Sequence, residues 1–202
     1  MILLDSLYFP CISYCQVMVK QPVCIIEQHE YFRKMSFRNR CIIVGSNGLI
    51  NLTIPVVGGR NNKNIMKDVR ISYSEDWSSQ HWKGIVSSYA KSPYFDYYQS
   101  DIERIIKMRH SFLMDKNIEI YNWLKKVLKL TNSFELSSEF SMILQDGIID
   151  YRNKCLPNNY LDTDIHLPKY FQIFEDKLGF QKNLSVLDLL FCEGNNAKYL
   201  LT

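Results

Sequence analysis

"ILLDSLYFPCISYCQVMVKQPVCIIE" (residues 2–27) decides the fold. Two short apolar runs, Ile2-Leu3-Leu4 and Val23-Cys24-Ile25-Ile26, flank a stretch in which Ile12, Cys15 and Val19 recur at helical spacing. Pro10 stands where a first helical turn tolerates it, and Pro22 stops the helix before the second run. The order strand, helix, strand over so short a span predicts a parallel pair with a right-handed crossover and the helix on one face.

Working outward, the strand-rich texture continues through Cys41–Val44 and Leu49–Val57. Asn47-Gly48 between these runs is a strong hairpin signal. "VGGRNNKN" (57–64) has no periodicity and reads as a surface loop. From residue 74 the period changes to helical, predicting helices over roughly 76–91, 95–113 and 116–130, with Ile102, Ile105 and Ile106 as an apolar stripe. After 131 the chain is turn-rich until a helix at about 185–192, where Leu184, Val186, Leu187, Leu189, Leu190 and Phe191 surround one acid, Asp188. That segment is too apolar for a free tail and predicts a docked helix with a buried, paired Asp188. The expectation is one α/β domain over 1–202: a β-α-β start, a mixed and partly parallel sheet, a β-hairpin and a group of three helices. Its parts are a strand-rich 1–73, a helical 74–130 and a turn-rich 131–202.

The 202 residues are 47% apolar and 22% charged, the balance of a globular chain with a full core. No apolar run approaches the length of a membrane span, and "MILLDSLYFP" lacks the basic region and cleavage site of a signal peptide, so the cytoplasm is expected. A net charge of +3, dispersed among acids, disfavours nucleic-acid binding by bulk electrostatics. The six cysteines include no C-x-x-C pair and sit among apolar neighbours, predicting reduced thiols and no metal site.

Chemistry-bearing residues cluster in few places. In "SFRNRC" (36–41), alternation along an extended backbone would send Arg38 and Arg40 to one face and Asn39 to the other, making a clamp for phosphate or carboxylate. Pairing of the arginines with Glu27, Glu30 or other surface acids is the plainer alternative. The junction "DSLYFPC" (5–11) leads into a helix N-terminus, an anion site in doubly wound sheets. It lacks the glycines of a dinucleotide or triphosphate loop. Tyr8 and Tyr14 are available there to stack on a base or sugar, or to pack in the core. Glu27 closes the second strand and His29 follows it, a carboxylate and an imidazole suited to general-base work. His81 shares a helix face with Ile85 and Tyr89; a packing role against Trp82 is its bland reading.

The order of these stretches resembles the WbqC-like protein family. "YFPCISYCQVMVK", "EQHEYFRKMSFRNRC", "LTIPV", "WSSQHWKGIVSSYAKSPYF" and the closing "KLGFQKNLSVLDLLFCEG" carry the resemblance across almost the whole chain, in the short form found in Bacteroidetes-type bacteria. It implies a bacterial protein of surface-polysaccharide (O-antigen or capsule) biosynthesis. The implied reaction is transfer of an acyl or aminoacyl (glycyl) group to the amine of a nucleotide-linked amino sugar. The partners would then be a nucleotide sugar and an activated acyl or aminoacyl donor. A nucleotidyltransferase-like enzyme and a non-catalytic sugar-nucleotide-binding or assembly protein are the alternatives. The family pattern falls on Tyr8, Tyr14, Arg38, Asn39, Arg40, His81, Tyr89 and Lys91. Taken with the reading of the residues above, substrate binding is expected of Tyr8, Tyr14, Lys34, Arg38, Asn39, Arg40 and Lys91, and catalysis of His81, His29, Glu27 and Tyr89, with His81 the first choice of base. Two departures stand out: Asp5-Ser6-Leu7 replaces a usual glutamine, and Glu27 replaces a usual aspartate.

Overall fold

In the computed structural model, which describes residues 1–59, 62–144 and 146–202, β1 (Ile2–Asp5), α1 (Ile12–Val19) and β2 (Val23–Glu27) form the expected unit. The two strands are parallel and in register from Ile2 opposite Cys24 to Asp5 opposite Glu27. Alternation then sorts their side chains. Ile2, Leu4, Cys24 and Ile26 join Ile12, Cys15 and Met18 of α1 in one buried cluster. Leu3 and Ile25, on the other face, line a cleft of about 470 Å³ together with Ser137, Ile143, Leu144 and Ile148.

Two further strands complete this sheet, β5 (Ser133–Leu136) beside β2 and β6 (Ile149–Asp150) beside β1, both parallel. The order is β5-β2-β1-β6. Neither strand is expected from the sequence, because β5 is four half-exposed residues and β6 only two. The antiparallel part is a separate sheet, the hairpin of β3 (Arg40–Gly45) and β4 (Gly48–Thr53). Ser46 and Asn47 connect its strands, and the left-handed backbone falls on Gly48 (φ 122°) rather than on Asn47. Of the loop 57–64, Arg60 and Asn61 lie outside the described residues.

The three helices follow as α2 (Trp77–Tyr89), α3 (Phe95–Lys107) and α4 (Leu113–Val127); the first two are shorter than their periodicity suggests, and α4 has the expected length but starts three residues earlier. Met108 turns extended (ψ 127°) and ends α3 early. After the four-residue α5 (Glu175–Leu178), α6 (Val186–Glu193) and α7 (Ala197–Leu201) dock on the core, with Val186–Phe191 fully buried. The segment leading into α6 stitches two units together. Ile12 N–H donates to Leu184 O at 3.0 Å, Val186 N–H to Pro10 O at 2.8 Å and Ser185 N–H to Ile42 O at 2.8 Å.

Asp188 is buried as expected, but its partners are neutral. Tyr89 Oη (2.8 Å), Tyr170 Oη (2.6 Å) and Gln172 Nε2 (3.0 Å) all donate to it. Burial outweighs these bonds and pushes the carboxyl up to about 6. All six cysteines are free and buried, and no described helix is long and apolar enough to cross a membrane.

Candidate functional site

The chain runs from β1 to β2 on one side and later adds β6 on the other, so the strand order reverses between β1 and β6. In open parallel sheets the crevice outside the strands' carboxyl ends at such a reversal is where ligands bind. Asp5 closes β1 there, and Asp150, Arg152 and Asn153 close and follow β6.

Arg38 occupies the centre of this crevice with none of its side chain exposed. Its Nη2 donates to Asp5 Oδ1 at 2.7 Å and to Glu30 Oε1 at 2.6 Å, and its Nε donates to Glu30 Oε1 at 2.8 Å. The second oxygen of Asp5 accepts from the backbone N–H of Asn153 at 2.8 Å. Asn153 is left-handed (φ 59°), which its short polar side chain tolerates. Its Oδ1 accepts from Arg38 Nη2 and from Arg33 Nη1.

Two buried carboxylates thus share one guanidinium, and one guanidinium cannot neutralise both. Burial raises the Asp5 carboxyl despite Arg38. Glu30 is lifted to about 7, by burial first, with Arg38 opposing and the Asp5 charge adding to the rise. Glu27, also buried, accepts from His29 N–H (2.8 Å), Ser137 Oγ (2.8 Å) and Arg152 Nη1 (3.2 Å). Arg152 reaches Asp150 at 2.7 Å as well, and its bonds hold that carboxyl below the usual range. Glu30, Arg33, Asp150, Arg152 and Asn153 line a cavity of about 400 Å³.

A second cleft, of about 510 Å³, opens on another side of the segment 30–40. Lys34, Asn39 and Arg40 line it over an apolar floor of Phe32, Ile54 and Val56. Asn39 Nδ2 donates to Ile54 O at 2.7 Å while Ile54 N–H donates to Asn39 O at 2.8 Å, so the asparagine ties the entry of β3 to the exit of β4. Arg40 Nε is buried and makes no hydrogen bond among the described residues.

The expected two-arginine clamp is therefore divided. The backbone turns at Phe37-Arg38 and enters a strand only at Arg40, so period-two alternation does not apply across the motif. Arg38 points into the carboxylate crevice, whereas Arg40 lines the cleft with Lys34 and Asn39.

The N-terminus of α1 is likewise not an open anion site, because its first N–H groups go to Leu184 O and to Asn183 Oδ1 (Ser13 N–H, 2.8 Å). Tyr14 is fully buried and donates to Asp5 O at 2.6 Å. Tyr121 donates to the same carbonyl at 3.1 Å, so the pair sets the end of β1. Tyr8 is fully buried and bonded to His81 Nδ1 at 3.1 Å. His81 is 4% exposed, and its Nε2 lies 3.2 Å from Thr53 O. The carbonyl can only accept, so Nε2 carries the proton and Nδ1 accepts from Tyr8. Burial lowers the imidazole to about 4.

Tyr89 accepts from Val44 N–H at 3.3 Å and donates to Asp188, bracing β3 against α6. His29 is half-buried beside Glu27, and Lys91 is exposed just past α2; neither lines the two cavities described. Asp150, Arg152 and Asn153 carry no signal in the sequence, because they end and follow a two-residue strand in turn-rich sequence that takes its place only by pairing with β1.

The sequence matches the WbqC-like protein family over residues 5–164, a span that contains the cavities of about 400 and 510 Å³. No curated protein and no solved structure matches it.

Proposed function

This chain belongs to the WbqC-like protein family, and from that premise we propose that it transfers an acyl or aminoacyl group to the amine of a nucleotide-linked amino sugar in bacterial surface-polysaccharide biosynthesis. Family membership is consistent with a polysaccharide-related role. One observation carries the finer reading: Glu30, a carboxyl lifted to about 7, borders an open cavity at the reversal of strand order.

Amide formation needs such a group. The sugar's amine nitrogen attacks the acyl carbonyl carbon and the new C–N bond forms. The bond to the donor's leaving group then breaks, with its electron pair departing on that group. The proton shed by the nitrogen needs an acceptor poised near the working pH. Glu30 is that acceptor in this reading, with Glu27 three residues before it at the end of β2. The Asn153 Nδ2 makes no hydrogen bond among the described residues, and with Arg33 it can donate to the tetrahedral oxyanion. Tyr14 acts through Asp5 as a positioning residue; His81, Tyr8 and Tyr89 act through packing. Lys34 and Arg40 hold the anionic part of a substrate in the neighbouring cleft, with Asn39 fixing its wall.

The test incubates the purified chain with UDP-linked amino sugars and with CoA thioesters or aminoacyl donors, and reads the mass gained by the sugar. Glu30→Gln keeps the shape and is expected to lower turnover about a hundred- to ten-thousandfold. Turnover at the parent rate in Glu30→Gln removes the glutamate from the mechanism, and no mass gain with any donor rejects the transfer reading.

A further inference from the structure

Arg70 and Arg109 flank a concavity of about 330 Å³ that shares no lining residue with the three cavities above and is lined also by Tyr73, His110 and Ser111. Val57 forms one of its walls, while the preceding Val56 faces the cleft of Arg40, so one extended segment divides the two. Among the described residues neither arginine makes an ion pair, and no carboxylate lines the concavity. Glu119, which reaches His110 at 2.7 Å, is already engaged by Arg104 at 2.7 Å.

Both guanidinium groups rest on aromatic faces. Arg109 lies 4.4 Å from the ring centre of Tyr73, and Arg70 lies 5.1 Å from that of Phe112. Stacking uses the flat face of a guanidinium and leaves its N–H edges available. The Tyr73 ring is itself fixed: its hydroxyl donates to His110 O at 3.0 Å and accepts from His110 N–H at 3.0 Å. One arginine is thus held on a rigid platform and the other on a second ring, with two positive charges unmatched among the described residues.

We propose that this concavity binds a phosphate or diphosphate group of a small molecule through Arg70 and Arg109. Two forked donors with no acid between them match the charge and the several oxygens of a phosphate; a lone carboxylate would satisfy only one fork. The Tyr73 face is occupied by Arg109, so recognition runs through the anion and not through a stacked ring. This site stands apart from the transfer reading and does not depend on it.

Calorimetric titration of the full chain at low ionic strength, where exposed charges are least screened, tests the proposal with inorganic pyrophosphate and UDP as probes. Saturable binding is expected for the parent. Arg70→Gln and Arg109→Gln should each weaken it about ten- to hundredfold, and Arg109→Lys should recover only part of the loss because the fork is missing. Arg104→Gln, a charge change on the adjoining surface, should leave it unchanged. UDP binding well above pyrophosphate assigns the site to a nucleotide; equal affinities assign it to a free diphosphate. The proposal is overturned if the parent binds neither probe, if both glutamine variants bind as the parent does, or if Arg104→Gln weakens binding equally.

Discussion

Arg38 and Arg40 differ by two positions and belong to different parts of the protein. Replacing Arg38 with Met leaves Asp5 and Glu30 buried with no counter-charge, and breaking a buried pair in this way costs about 3–5 kcal/mol. The sign of its pH dependence follows from Glu30. A carboxyl raised in the folded state contributes stability that is present below its unfolded value and lost as pH rises through the folded value, here about 7. Without Arg38 both acids rise further, so more stability is lost on the way to alkaline pH. Urea unfolding should therefore show the Arg38→Met deficit largest near pH 8 and smaller near pH 5. Arg40→Lys should stay within about 0.5 kcal/mol of the parent at both. An equal deficit at the two pH values would show that Arg38 is not what holds these carboxylates. The plain pairing of Arg38 with Glu30 was legible in the sequence. That Asp5 joins it was not, since the bond spans 33 positions and depends on the turn at Phe37-Arg38.

At the level of elements, whatever had several turns or a strong period could be read. The β1-α1-β2 unit, the hairpin and the three helices follow from apolar spacing and from Pro10, Pro22 and Gly48. β5 and β6 could not, because strands of four and two residues leave no measurable alternation and take their conformation from β2 and β1. The start of α6 shows how much a single junction carries. Ser185 Oγ accepts from Leu187 N–H at 3.3 Å and donates to Phe9 O at 2.9 Å, so it caps a helix and also satisfies a carbonyl across the core. Ser185→Ala removes a cap worth about 1 kcal/mol and leaves a buried acceptor unmet at about 1–3 kcal/mol. A fall in the urea midpoint equivalent to about 2–3 kcal/mol with an unchanged m-value is expected; a change below about 0.5 kcal/mol would mean that water replaces the hydroxyl.

Over the whole molecule, the buried cluster runs without a break from Ile2 to Leu201. Removing the chain after Lys182 strips α6 from the wall formed by α1, β3 and Tyr89 and exposes their apolar faces. Loss of a cooperative thermal transition is expected in calorimetry, and a transition at the parent temperature would show that the last twenty residues are dispensable. The candidate site belongs to this scale too, because Asp5, the segment carrying Glu30 and Arg38, and Asn153 come from three separate stretches, and the site is complete only when β6 lies down beside β1. The same topology sets a schedule for synthesis. β1 is an inner strand, yet one of its two partners lies about 145 residues further along, which at roughly 5–20 residues per second arrives about 7–30 seconds later. Until then one edge of β1 is an unclaimed template for any passing strand. A strand that reaches this edge within that interval would pair in place of β6 and leave a misassembled sheet.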